Sequence, residues 1–419
     1  MDDFGFDRWL DRAVGARRAG TGIFRSVRKS RRPADLPSIL PAAAAPVRAL
    51  LSMPALSRGV GMTCRSVLSS GAAFGYRTDL HTTRHDPARE TSALKVTTPL
   101  PQVVRALPYG MTGPLSGRML HKAYLRSLDD GDIAYLWPSV PAEVYERVAR
   151  RGIPIVIEAV NTRMKVAKPL LDAAYDALGL VPGHGITDQR IADQEARYAI
   201  ADVVMAPSAG TETALAGSPL ENRFIRTSYG TWVRPDIPFR PARRPGSDVT
   251  FLFVGTCCVR KGTHLLLDLW RRMPANARLR LVGDFEPELA RLYSDVLDQP
   301  NVSHACFRTN VKAEYERADV FVLPSLEEGD SIVTYEAASN ALPVIASPVG
   351  AGRIGQETGA IFTVDAQDRA AFEDVVTRFA RHDELRRSWG LWARKAAERY
   401  DWSHVGPRAF DALHAWFGR

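Results

Sequence analysis

Residues 324–347 read PSLEEGDSIVTYEAASNALPVIAS, and the way this stretch divides decides the architecture of the chain. The four residues before it, VFVL, are wholly apolar, and another apolar run, PVIA, closes it. Gly329 and Asp330 are poor interior helix residues, so one continuous helix through the middle is excluded. The pattern therefore predicts a strand over 320–323, a loop over 324–330, a helix over 331–340 and a strand over 344–347. Glu328 and Glu336, with seven residues between them, then fall on the loop and in the first turns of the helix. Both face whatever lies at the helix N-terminus.

The same rhythm extends in both directions. Upstream lie VTFLFVG, THLLLDLWRRM, ARLRLVGD and VKAEYERA, alternating strand and helix patterns. Further towards the N-terminus, PVRALLSM predicts a first strand, and SRGVGMTCRSVLSSGAAFGY a glycine-bearing loop that opens a helix. DIAYLW and the nearly all-apolar IPIVIEAV predict strands, the second buried on both faces. PAEVYERVARRG and DQRIADQEARYAIA predict helices, followed by the strand DVVMAPS and the helix AGTETALA. Such alternation predicts parallel sheets covered by helices on both faces. Between the two series, RPDIPFRPARRPGSD (234–248) has the composition of a linker. The expected organisation is a basic extension over 1–45, a doubly wound, Rossmann-like α/β domain over 46–240, and a second over 241–400. A C-terminal helix follows over 401–419. A hinge falls near residue 240, with a cleft between the domains, and ligands are expected at the carboxyl ends of the strands.

The length of 419 residues allows two cores, and 45% hydrophobic with 24% charged residues suits a globular enzyme. No apolar run reaches the roughly 18 residues of a membrane-spanning helix. The opening MDDFGFDRW is acidic and mixed, unlike a secretory signal. Cys64, Cys257, Cys258 and Cys306 are scattered, which predicts a reduced, cytoplasmic chain without zinc or disulfides. Of the net charge of +8, residues 1–45 supply nine Arg or Lys against five Asp. Two readings of this extension stay open: a solvated tail, or an arm for anionic lipid headgroups at the inner face of a membrane. Nucleic acid is not expected, because aromatic residues for base stacking are sparse around the basic run.

Three strand ends carry polar equipment. In VGTCCVRKG, Gly255 closes a strand and Arg260 and Lys261 follow, two cations that suit a diphosphate, although such a pair is also common on bare surfaces. In LVGD, Gly283 lets a ligand approach the backbone. In the opening stretch, the N–H groups of Ser331, Ile332 and Val333 begin a helix whose dipole favours phosphate. Glu336 is then placed to accept from ribose hydroxyls, and Glu328 to reach a sugar across the diphosphate. Other motifs point to structure. Asp130 and Asp132 in LDDGD precede a strand and predict a turn. His81 and His85 in HTTRH lack a third ligand, so no metal is expected there. GVGM is too short for a dinucleotide fingerprint.

FVGTCCVRKGTHLLLDLW, LRLVGD and ADVFVLPSLEEGDSIVTYEAASNALPVIASPVG together resemble the donor domain of retaining glycosyltransferase family 4, the glycosyl transferases group 1, of GT-B fold. GIPIVIEAVNT, ARYAIADVVMAPSAGTETAL and TSYGTWVRPDIPFRP resemble the other domain more loosely, so the resemblance covers residues 46–405. It implies that Glu336 binds the donor ribose, that Glu328 lies beside the donor sugar, and that Lys261 binds the diphosphate. Ser331, Ile332 and Val333 match backbone phosphate contacts, and Gly59 and Gly61 the glycine loop that closes over the donor. The implied reaction is hexosyl transfer with retention, from a nucleoside-diphosphate sugar to a carbohydrate or lipid-linked acceptor, in polysaccharide or glycolipid synthesis. No cofactor or metal is implied. Three departures stand out. Thr256 replaces an Arg, leaving Arg260 as the second cation. Ala341 replaces a Gly, so Asn340 is expected to turn the chain. Asn161-Thr162-Arg163 stands where many members carry a histidine; either Asn161 takes its place as a catalytic residue beside Glu328, or the acceptor differs. A nucleotide-sugar epimerase and a catalytically degenerate GT-B binding subunit remain as alternatives.

Overall fold

The computed structural model describes residues 44–56, 58–85, 93–99, 109–236 and 246–418. All but the last two residues of the basic extension, and the hinge expected near residue 240, lie outside these ranges. Among the described residues the strands form two sheets, parallel throughout. The first contains β1 (Val47–Leu51), β2 (Thr78–Thr82), β3 (Lys95–Thr97), β4 (Ile133–Leu136), β5 (Ile155–Glu158), β6 (Val203–Ala206) and β7 (Phe224–Arg226). Its order is β3-β2-β1-β4-β5-β6-β7. The second contains β8 (Val249–Val254), β9 (Ala277–Val282), β10 (Val302–Ala305), β11 (Val320–Leu323), β12 (Val344–Ala346) and β13 (Phe362–Thr363), in the order β10-β9-β8-β11-β12-β13.

These orders follow from the sequence chemistry. Strands β4, β5, β6 and β11 are buried along their whole length, as their unbroken apolar runs require of central strands covered on both faces. In each sheet the winding reverses once, between β1 and β4 and between β8 and β11. At such a reversal the two flanking loops diverge and open a crevice at the carboxyl edge.

The C-terminal helix, Trp402–Phe417, packs back onto the first sheet's helix, Gly59–Ala72. Phe410 is buried and stacks on Tyr76 with ring centroids 5.2 Å apart, and Tyr76 donates its hydroxyl proton to Asp411. Gly71 and Gly406 permit this approach. A Cβ on Gly71 would come within 2.8 Å of the Phe410 ring, and one on Gly406 would collide with Ser70.

The exit from the helix Ile332–Ser339 differs from expectation. Asn340 stays in ordinary backbone space (φ −89°), and Ala341 itself takes the left-handed conformation (φ 54°). The Asn340 side chain instead closes the helix end, donating from Nδ2 to the Glu336 carbonyl at 2.8 Å. A β-carbon in left-handed space is strained, and nothing in this exit relieves it. Ala341→Gly is therefore expected to stabilise the chain by about 0.5–1 kcal/mol, seen as a raised midpoint of thermal unfolding; an unchanged or lowered midpoint would contradict the strain.

Candidate active site

The crevice of the second sheet is walled by the loops that leave β8 and β11, and these loops are laced together. Arg260 and Lys261 lie in a short 3-10 turn, Val259–Lys261, ended by Gly262 in left-handed space (φ 69°). Only glycine fits there, because a Cβ would collide with the Pro324 carbonyl. The Leu326 N–H donates to the Arg260 carbonyl at 2.9 Å. The backbones thus fix both cations beside the Glu327-Glu328 pair.

Glu328 is buried, and its Oε1 accepts from Lys261 Nζ and from Ser325 Oγ at 2.7 Å. Arg260 Nη1 stands 3.8 Å from Oε2. Burial alone would raise this carboxyl; the two cations and the hydrogen bonds outweigh it and hold Glu328 below its ordinary range, ionised at neutral pH. Glu336, one turn into its helix, accepts from the Tyr315 hydroxyl at 2.8 Å, and burial pushes it up. At the start of that helix Ser331 serves as N-cap without a side-chain hydrogen bond, and its hydroxyl, though buried, has no partner among the described residues. This N-terminus, Ser331, Ile332 and Val333, follows three residues after Glu328, the carboxylate that both cations approach.

The glycines have more local explanations. Gly255 and Gly283 lie at the ends of adjacent strands, with φ of 147° and 150°. A Cβ on Gly283 would collide with the Gly255 carbonyl. Close packing of the two strand ends is thus a sufficient local reason for a glycine at 283. Gly61 lets its helix sit on the loop after β1, where a Cβ would lie 2.7 Å from the Pro54 carbonyl. Gly59 begins that helix in left-handed space (φ 52°) with nothing around its Cβ position. The preceding Arg58 lies over the Phe307 ring at 5.7 Å, so this glycine loop reaches the carboxyl edge of the second sheet.

The carboxyl edges of the two sheets meet at the Glu327-Glu328-Gly329 loop. Beyond β5, the Thr162 N–H donates to Glu327 Oε1 at 2.7 Å and the Thr162 hydroxyl to the Glu328 carbonyl at 3.1 Å. Gly329 faces the Val160 carbonyl so closely that a Cβ would collide with it, and Ser208 Oγ donates to the Gly329 carbonyl. Asn161 is exposed at this junction. The expected cleft is thus bridged here, with Asn161 on its rim. The turn and metal motifs are accounted for as well. Asp132 accepts from Asp129 N at 2.8 Å and from Arg48 Nε at 3.1 Å. His81 is buried against Tyr124 and Ser127, and burial lowers it to about 4.

Behind the junction lies a buried acid cluster that the motifs did not single out. Glu158, at the end of β5, accepts from the hydroxyls of Tyr135 and Tyr229, the latter at 2.8 Å. Asp330 accepts from Tyr229 N at 2.8 Å, the Tyr335 hydroxyl at 2.7 Å and Arg353 N at 3.1 Å. Burial raises Glu158 to about 7 and Asp330 to about 6. A four-residue run ending in a carboxylate was the available signal: Glu158 closes IVIE, where the sequence is otherwise core.

Three comparisons bear on what this site serves. Residues 248–382 match the family model described as Glycosyl transferases group 1. A sulfoquinovosyl transferase of Arabidopsis thaliana is 27% identical over 245 residues, which cover 52% of this chain and 46% of that protein. The chain thus spans about half the length of the curated relatives it matches. Among solved structures, the sucrose-phosphate synthase from Thermosynechococcus elongatus aligns with a TM-score of 0.68 at 18% identity, covering 89% of this chain and 99% of that one. Anabaena HepE in complex with UDP and glucose aligns at 0.63 and 14% identity, covering 88% and 100%. These likenesses establish the fold as GT-B, α/β with two facing Rossmann-like halves.

The raised carboxyls carry a pH signature. Glu158 and Asp330 hold protons in the folded chain at pH values where the unfolded chain has released them. Their contribution to stability is therefore present at low pH and lost as pH rises from about 4 to about 7. Thermal midpoints measured between about pH 5 and about pH 8 should fall less steeply in Glu158→Gln than in the wild type. Parallel curves for the two proteins would show that Glu158 titrates normally.

Proposed function

We propose that the chain is a glycosyltransferase that moves a hexosyl group from a nucleoside-diphosphate sugar to an acceptor hydroxyl, with retention at the anomeric carbon. The observation that carries this reading is the convergence of Lys261, Arg260 and a helix N-terminus with an unpartnered buried hydroxyl on one crevice. Cations and an N-terminus meeting at a sheet reversal suit a diphosphate. In this reading the anomeric C–O bond to the diphosphate breaks, and the acceptor oxygen bonds to the same face of that carbon. The acceptor proton leaves with the nucleoside diphosphate. Lys261, Arg260 and the helix dipole meet the developing charge on the leaving group, and no metal enters the proposal. Glu328, held ionised, stabilises the positive charge that develops on the sugar ring. Glu336 receives the ribose hydroxyls, and Asn161 faces the transferred sugar from the opposite half.

HepE was solved with UDP and glucose, and a second curated relative is a D-inositol 3-phosphate glycosyltransferase of Xylanimonas cellulosilytica, 27% identical over 178 residues. Both support a nucleotide-sugar donor and a polyol or carbohydrate acceptor. A place in polysaccharide or glycolipid synthesis at the inner face of a membrane completes the proposal. No helix among the described residues is long and apolar enough to cross a membrane; the nine cations within residues 8–32 would supply contact with an anionic surface.

The central test is a screen of nucleotide-sugars for slow donor hydrolysis, followed by transfer assays. Release of nucleoside diphosphate that depends on an added acceptor supports transfer. An epimeric sugar formed without an acceptor would identify an epimerase, and no turnover of any donor a binding subunit. Lys261→Ala should weaken nucleoside diphosphate binding at least about tenfold, since a charge-assisted contact contributes about 1.5–3 kcal/mol. Equal affinity in calorimetry would remove Lys261 from the phosphate site. Glu336→Ala should raise the donor KM, whereas Glu328→Gln should lower kcat. Deleting residues 1–40 should abolish salt-sensitive sedimentation with anionic liposomes; retained sedimentation would assign the membrane contact elsewhere.

A further inference from the structure

We propose that Glu327, which lies outside the two-glutamate motif, is a positioning residue that couples donor binding to the placement of Asn161. The inference rests on the reading of Arg260 as a diphosphate ligand.

Glu327 is buried, with 3% of its surface exposed, and it is shared between the two halves of the fold. One carboxylate oxygen takes the Thr162 N–H at 2.7 Å, directly after Asn161. The other lies 3.4 Å from Arg260 Nη1, and the Glu327 carbonyl accepts from the same nitrogen at 3.2 Å. The charged groups around it are Arg260 and Glu328, with Lys261 bound to Glu328 beyond. Arg260 therefore has two carboxylates within 4 Å, Glu327 at 3.4 Å and Glu328 at 3.8 Å, before any diphosphate arrives.

Two consequences of opposite sign follow. Glu327 and Glu328 both draw on Arg260 Nη1, so a diphosphate that engages this nitrogen does so in competition with Glu327 and is repelled by its charge. The negative charge of Glu327 thus weakens nucleotide affinity. The same carboxylate fixes the Thr162 N–H, and through it Asn161, so its loss misplaces the opposite wall of the sugar site. A side chain that merely supported the fold would lower affinity and turnover together. Glu327 separates them.

The experiment uses the full-length chain, UDP as the calorimetric probe and transfer or donor hydrolysis as the rate. Glu327→Gln keeps an oxygen for the Thr162 N–H but loses the charge, and it should bind UDP about threefold more tightly. Glu327→Ala should also bind UDP at least as tightly as the wild type. Its kcat should fall about tenfold further than that of the Gln variant. Weaker UDP binding in both variants, or equal kcat in the two, overturns the proposal. If the Ala variant fails to fold, the Kd of the Gln variant decides alone. Wild-type protein that binds no UDP, GDP, ADP or dTDP would defeat the parent reading of the site and this inference with it; a wrong sign in the variant-to-wild-type ratio defeats the role of Glu327 alone.

Discussion

Two adjacent buried carboxylates, Glu327 and Glu328, hold this molecule together at the place where it has to work. Neither would be tolerated there as an isolated charge, because burying an unpaired carboxylate costs several kcal/mol. Lys261 and Arg260 meet that cost from the β8 loop, and Thr162 from the far side of the crevice. The arrangement is self-consistent only if the β8 and β11 loops keep their spacing. Gly262 against Pro324 and the Leu326–Arg260 hydrogen bond fix that spacing. Fold and site are therefore one problem: the loops that reverse the winding of the sheet are also those that bring two carboxyls and two cationic side chains to one point.

The cations of the crevice are matched by the protein's own carboxylates, so the crevice is close to neutral in the described structure. An anionic ligand exchanges partners there rather than meeting naked charge. Glu158 and Asp330 follow the opposite solution a few residues away. They lack a nearby cation of equal strength, depend on tyrosine hydroxyls and backbone N–H groups, and are driven by burial towards the protonated form.

Much of this was legible in the residues. The unbroken apolar runs of β4, β5, β6 and β11 announced central parallel strands, and Gly329 placed the loop between Leu323 and the helix that starts at Ile332. Other strands were silent. β2 reads TDLHT and β10 reads VSHA, too polar and too short for periodicity to register, and they are recognised only by pairing with β1 and β9. The lysine, the arginine and the two motif glutamates were legible because their spacing from strand ends limits where they can point. Glu327 was not, since its partner Thr162 lies 165 positions away and nothing local distinguishes it from a solvated glutamate. Gly283 is ambiguous in sequence for a related reason: a glycine at a strand end looks the same whether a ligand or a neighbouring carbonyl calls for it, and the structure shows the Gly255 carbonyl there.

The helix Trp402–Phe417 has a consequence for how the molecule is made. It lies at the far end of the chain, yet it covers the helix that follows β1, with Phe410 on Gly71 and Asp411 joined to Tyr76. During synthesis the first sheet emerges long before this cover exists. Domains tend to fold in order as they leave the ribosome; here the helix Gly59–Ala72 keeps the face that Phe410 covers bare until Trp402–Phe417 has been added. The small surface left by Gly71 and Ser70 limits what is exposed in that interval. A chain interrupted after the second sheet would lack the helix that covers Gly59–Ala72 and leave the face at Gly71 and Ser70 open.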